Sequence, residues 1–221
     1  MLMTDIPGAR EELERLGLFM HVQVRELVSR LTPEARVFPQ ELGVPSVSDW
    51  HEPLQFHHTM TFRGARPETV SPAEMGQRAA KALAAAGWAV EEKVTEAHFI
   101  TGRHDGVVVQ VRISKISNVV LYQAKTPSLA FHTAEVMVKP DPVRTPDTLR
   151  PGYVLCYECD GLGWCSSCWG RSWIPDVERG RRRCPECHQD RVCPICRGAG
   201  EKHAATLQYY ERGYYPGLSG E

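Results

Sequence analysis

The sequence predicts an α+β fold: an N-terminal helix, a small helix-on-antiparallel-sheet domain, and a C-terminal cysteine-rich β-hairpin module. Three observations predict it. Apolar residues recur at helical spacing between Leu13 and Leu31. A capped helix near residue 72 is followed by segments in which valine alternates with polar residues. All eight cysteines lie between residues 156 and 196, each in a C-x-x-C pair.

A chain of 221 residues has room for a core domain and a smaller appended one. Its 42% hydrophobic and 24% charged content is that of an ordinary globular protein. A formal net charge of -1 supplies no bulk attraction to nucleic acid or anionic lipid. The first residues, MLMTDIPGAREELERLG, lack the basic lead and apolar run of a signal peptide, and no stretch has the length and apolarity to span a bilayer. Unbridged C-x-x-C pairs suit a reducing compartment, so the cytoplasm is expected.

Residues 1–38 read as an N-terminal helical segment. Leu13, Leu16, Met20, Val24, Leu27 and Leu31 form one stripe, which Thr32-Pro33 ends. Gly17 weakens this helix without stopping it. An α+β domain over 39–138 follows, opening with a proline-rich connector to residue 53. LQFHHTMTF, from Leu54 to Phe62, reads as a strand. Ser71-Pro72-Ala73-Glu74 is a capping box with proline at the first helical position, and Gly87 closes that helix. Trp88 to Thr101 then reads as one long, kinked strand. Val107 to Ser114 and Val119 to Ala124 read as two more, with turns at His104-Asp105-Gly106 and Ser117-Asn118. A further strand falls near Leu129 to Val138.

Six of the nine histidines lie in this domain. His57 and His58 are neighbours, so on a strand they point to opposite faces and cannot share a site. His-Glu-x-x-His, a glycine-rich phosphate loop and Gly-x-Ser-x-Gly are all missing, so no enzyme activity is expected. Residues 139–152, with Pro140, Pro142, Pro146 and Pro151, read as a semi-rigid linker.

The cysteine module spans 153–203, and a tyrosine-rich tail, 204–221, follows it. Its pairs are Cys156/Cys159, Cys165/Cys168, Cys184/Cys187 and Cys193/Cys196. A C-x-x-C turn aims two sulfurs at one metal, and glycine two residues later relieves crowding in the tight knuckle. Eight thiols supply two tetrahedral four-cysteine zinc sites, so two Zn2+ per chain are expected. Two zinc-tetrathiolate sites would bring the folded net charge to about −5.

Only five residues separate the pairs at each end, whereas 15 residues, Trp169 to Arg183, separate the middle two. The longer gap suits a zinc-ribbon hairpin turning near Pro175-Asp176. It favours nesting, with the inner two pairs on one metal and the outer two on the other. Local pairing stays open, because five extended residues reach about 17 Å.

CYECDGLG and CPICRGAG each match C-x-x-C-x-G-x-G, and the module resembles the DnaJ-type cysteine-rich zinc domain. CSSCWGRS keeps only the first glycine of the repeat and CPECHQDR keeps neither. The resemblance covers about a fifth of the chain and implies nested pairing: Cys156, Cys159, Cys193 and Cys196 on one zinc, Cys165, Cys168, Cys184 and Cys187 on the other. No His-Pro-Asp triplet of a J domain is present. The resemblance thus implies a stand-alone module that holds partner polypeptides, which makes a zinc-binding adaptor or chaperone-like protein the leading expectation.

Aromatic and basic residues supply candidate contacts. Trp164, Trp169 and Trp173 crowd a module too small to bury them all, and exposed aromatics are common protein-binding anchors. Arg181, Arg182 and Arg183 form a basic run. That run carries the alternative of a nucleic-acid-binding zinc ribbon; the bland reading is that it offsets thiolate charge. A thiol-disulfide enzyme is the third reading, disfavoured because metal-bound thiolates are poor redox groups.

Overall fold

The computed structural model describes residues 4–35 and 41–218. The chain divides into two compact units, Leu2–Ala134 and Glu135–Glu221. Among the described residues no helix is long and apolar enough to cross a membrane.

The first unit opens with α1 (Ala9–Leu31), which buries the expected stripe of Leu13, Leu16, Met20, Val24, Leu27 and Leu31. Gly17 sits inside it for a packing reason: a β-carbon there would stand 2.6 Å from the Leu42 side chain and 2.7 Å from the His58 ring. Thr32 ends the helix, its amide bonding to the Val28 carbonyl and its hydroxyl meeting that of Tyr122 at 3.1 Å. Burial pushes the Tyr122 phenol up to about 12, with the Thr32 contact opposing the shift.

Three short strands, β1 (Ser46–Asp49), β2 (Gln55–His57) and β8 (Leu129–Ala130), form a small sheet in the order β1-β2-β8. The connector therefore holds a strand that its composition conceals. LQFHHTMTF is two strands rather than one. It breaks at His58, whose amide and carbonyl both bond to Thr126, and continues as β3 (Thr59–Ala65) in a different sheet.

α2 (Pro72–Ala85) starts as expected, with the Ser71 hydroxyl accepting from the Glu74 amide at 3.1 Å. The reciprocal half of the capping box is replaced, because the Glu74 carboxylate takes the Arg78 guanidinium at 2.7 Å. Gly87 follows at φ 83°, which only glycine adopts without strain.

The long segment after it is a hairpin, β4 (Ala89–Val94) and β5 (Ala97–His104), not one kinked strand. β6 (Val107–Ser114) and β7 (Val119–Lys125) complete a five-stranded antiparallel sheet of order β3-β7-β6-β5-β4. Asp105 and Gly106, at φ 47° and 76°, make the two-residue turn between β5 and β6. The period of two then decides the layers. Val107, Val109, Val111 and Ile113 are buried, while Val108, Gln110, Arg112 and Ser114 face the other way. α1 and α2 pack on the buried face and on each other, around a core that includes Met20, Met75, Ile100 and Tyr122. Each fully buried apolar side chain of this kind contributes roughly 1.5–3 kcal/mol.

The second unit is a hairpin within a hairpin. β9 (Tyr153–Leu155) pairs with β12 (Glu201–His203) at the base. Between them, β10 (Trp173–Asp176) pairs with β11 (Gly180–Arg183). This turn lies later than expected, at Val177-Glu178-Arg179, and Pro175 is inside the strand opposite Arg181. The Asp176 carboxylate fixes it by accepting from the Glu178 and Arg179 amides at 3.1 and 2.9 Å.

The proline-rich segment expected as a spacer is bound to this unit. The Arg144 amide donates to the Gly161 carbonyl at 3.0 Å, and Val143 lies against Gly163 and Gly200. Arg144 and Arg150 both pair with the buried Glu201. The tail docks as well. The Tyr215 hydroxyl donates to the Leu155 carbonyl at 2.6 Å and accepts from the Tyr157 amide at 3.1 Å. Tyr214 stacks on Tyr157 with ring centroids 4.4 Å apart.

Candidate metal centre

Four knuckles position the eight cysteines, and their backbones repeat one conformation. The residue after each second cysteine is left-handed: Asp160, Trp169, His188 and Arg197 have φ of 47°, 50°, 46° and 51°. The next residue is also at positive φ in every knuckle, with Gly161, Gly170, Gln189 and Gly198 at 80°, 82°, 90° and 92°. Four residues after the cysteine the chain is left-handed again, at Gly163, Ser172, Arg191 and Gly200, with φ from 68° to 75°. The glycines of C-x-x-C-x-G-x-G thus mark positions that need positive φ, and non-glycine residues take the same shape at a cost of roughly 1–2 kcal/mol each.

That shape locks knuckles together in pairs. The Cys156 amide donates to the Gly200 carbonyl and the Cys193 amide to the Gly163 carbonyl, both at 2.9 Å. The inner pair repeats the exchange, Cys165 to Arg191 and Cys184 to Ser172, again both at 2.9 Å. In each case the first cysteine of one knuckle bonds to the fourth residue beyond the second cysteine of its partner. Each site has local two-fold character as a result. The exchange also decides the pairing, because it joins first to fourth and second to third.

Sulfur positions follow from the backbone. The Sγ atoms of Cys156, Cys159, Cys193 and Cys196 form one group and those of Cys165, Cys168, Cys184 and Cys187 another, each within 4.8 Å. Between matching cysteines the separations are 3.9 Å for Cys156–Cys193 and 3.7 Å for Cys159–Cys196, Cys165–Cys184 and Cys168–Cys187. A disulfide would need about 2.05 Å. A tetrahedron with 2.3 Å metal–sulfur arms has edges of about 3.8 Å. The sulfurs therefore fit one small ion per group.

Their electrostatics agree. Burial pushes the Cys159 and Cys165 thiols up to about 12. Cys156 is raised first by its contact with Cys196 and then by burial; that contact in turn pulls Cys196 down to about 5. Four clustered thiols, buried or, at Cys196, half-buried, ionise together only beside a cation that compensates them. The chain supplies part of the stabilisation, with the Gly163 amide donating to Cys159 Sγ at 3.3 Å and the Gly200 amide to Cys196 Sγ at 3.2 Å. Two four-cysteine groups able to hold metal ions are thereby in place.

The remaining candidates separate. Trp164, 38% exposed, bridges by its backbone to Val192. Trp169 is half-buried against the outer sulfur group, although it follows a ligand of the inner one. Trp173 is half-buried, with Arg181 over its ring at 3.9 Å and Arg171 at 5.6 Å. Arg181 also faces Glu135 at 3.7 Å, and Arg182 reaches Asp176 at 3.8 Å. Arg183 is exposed. Arg181 and Arg182 thus have partners within this unit, while Arg183 faces solvent.

Sequence reasoning missed Glu201 and Glu211. Glu201 lies just beyond the last knuckle. Burial opposes its ionisation, but the Arg150 amide and the two guanidinium groups hold it below the usual carboxylate range. Glu211 is buried against Lys202 and the Tyr157 hydroxyl. Glu201 stands in no local pattern, and the capping box of Gln208 with Glu211 is masked because glutamine is not among the residues that signal a helix start. Comparison with protein-family models, curated proteins and solved structures finds no match to this chain.

Proposed function

We propose that this protein is a zinc-binding adaptor with a DnaJ-like module that contacts a partner polypeptide. Cys156, Cys159, Cys193 and Cys196 would hold one Zn2+, and Cys165, Cys168, Cys184 and Cys187 a second. Zinc bound there supplies rigidity by cross-linking segments distant in sequence, and needs no redox chemistry. The observation that carries the reading is the reciprocal amide exchange between matched knuckles, which sets sulfur separations of 3.7–3.9 Å, the edge of a zinc tetrathiolate. The C-x-x-C-x-G-x-G matches at Gly161, Gly163, Gly198 and Gly200 support the DnaJ-type likeness. Eight reduced thiols suit a reducing compartment such as the cytoplasm. With every thiol placed in a ligand group, the thiol-disulfide reading is the weaker one.

Partner contact rests on exposed apolar surface beside rigid knuckles. Trp164 and Ile195 are both 38% exposed, whereas Trp169 and Trp173 are engaged internally. Trp164 is therefore the leading anchor.

Elemental analysis tests the metal reading. Two zinc per chain are expected, with Cys156→Ser and Cys193→Ser each losing the same one and Cys165→Ser and Cys184→Ser the other. Iron with acid-labile sulfide, or one metal per chain, would overturn it. The contact reading is tested by suppression of aggregation of a chemically unfolded reporter protein. Zinc-loaded Trp164→Ala is expected to lose that activity, and full retention would remove the proposed anchor.

A further inference from the structure

Among the described residues, α1 and α2 pack on one face of the five-stranded sheet, and the other face carries an ordered arrangement of charge. Its register lines up three rows running across the strands. The central row is uncharged apart from its end: Thr61, Gln123, Gln110, Thr101 and Glu91. Arg103 and Lys125 lie in the row on one side. Lys93, Arg112 and Arg63 lie in the row on the other. Five cations thus flank a strip of amides and hydroxyls, opposed only by Glu91 and Glu96 among the described residues lining this face, in a chain whose net charge is -1. Two shallow depressions of about 430 and 440 Å³ share Thr101 and Gln110 in their walls, so they adjoin along the strip.

The dimensions select a shape. Lys93, Arg112 and Arg63 are each two strands apart, a repeat of about 9.6 Å. Acids seven residues apart on an α-helix repeat at about 10.5 Å. The two cationic rows are four residues apart along the strands, about 13 Å, which is close to the 10–12 Å width of a helix with its side chains. Val108, Leu121 and Phe99, all half-buried, add apolar grip within the flanking rows. Single-stranded nucleic acid is the poorer fit, because it needs open aromatic platforms. Phe99 is the one aromatic lining this face among the described residues, and Arg112 lies over its ring at 5.8 Å.

We propose that this face docks an acidic helical polypeptide segment lying across the strands, its two edges of carboxylates meeting the two rows of cations. The cysteines are all outside this unit, so the proposal stands or falls separately from the zinc reading.

The test uses the full chain and a fluorescein-labelled helical peptide of alanine and glutamate, with glutamates along both edges, followed by fluorescence anisotropy. The peptide is expected to bind with an affinity that falls as salt rises. The double variant Arg63→Glu/Arg112→Glu is expected to weaken binding at least about tenfold. Lys81→Glu, on the exposed side of α2, should leave it unchanged. Circular dichroism establishes that each variant is folded, and binding should survive chelation of the metals. No binding, indifference to the double charge reversal, or binding of an oligo(dT) strand in preference to the peptide would each overturn the proposal.

Discussion

Arg144 and Gly161 are interlocked through their backbones. The Arg144 amide donates to the Gly161 carbonyl at 3.0 Å, and the Arg144 carbonyl occupies the space where any side chain on Gly161 would begin. The glycine of the first repeat is therefore required twice, for its φ of 80° and for this approach. Gly161→Ala is expected to destabilise the outer knuckles by about 2 kcal/mol or more. Competition with a chromophoric chelator should show one metal released more readily and the other unchanged.

The reverse substitution should help elsewhere. Gln189 adopts φ 90° at the position where the other three knuckles have glycine. Gln189→Gly is expected to raise the stability of the metal-loaded module by about 1 kcal/mol. A higher urea midpoint at unchanged slope is the confirming result.

Metal removal should divide the molecule. The core around Met20, Met75 and Ile100 contains no cysteine, whereas the small clusters of the second unit are built on the cysteines themselves. Chelation is expected to abolish the near-ultraviolet signal of Trp164, Trp169 and Trp173 while the sheet unit keeps its cooperative thermal transition.

Acid should release the tail through Glu211. The Lys202 ammonium, then the Gln208 amide, hold this carboxyl below its ordinary value of 4.5 against the opposing effect of burial. A carboxyl with a lowered folded pKa contributes stability above its unfolded pKa and loses it as the pH falls through the folded value. Tail docking is therefore expected to be constant from neutrality to about pH 5 and to weaken below that. Glu211→Gln should show the released state already at neutral pH, read as faster tryptic cleavage after Arg212. Equal cleavage rates would count against the assignment.

Legibility in the sequence followed physical signal strength. α1 and α2 were readable because a stripe and a cap leave period and punctuation. The β4–β5 hairpin was not, because its turn at Thr95-Glu96 carries no glycine, proline or asparagine. His58 likewise breaks a strand through its bonds to Thr126, a tertiary effect with no local trace. In the module, gap lengths favoured the grouping of the cysteines that the fold displays. The left-handed turns at Trp169, Ser172, His188 and Arg191 were hidden, since side chains of those types advertise no such backbone.

Nesting also predicts an order of assembly once metal is supplied. The inner site closes a loop of 15 residues, Trp169 to Arg183, whereas the outer site must join Cys159 to Cys193 across all that lies between. Loop closure costs more entropy as the loop lengthens, so the inner site is the natural nucleus. Once it has formed, the path between the outer pairs is short, and the outer knuckles, the base strands β9 and β12, and the docked tail can zip up in succession. The metal-loaded module is then expected to behave like a nucleic-acid stem-loop, growing from its tip and fraying from its base.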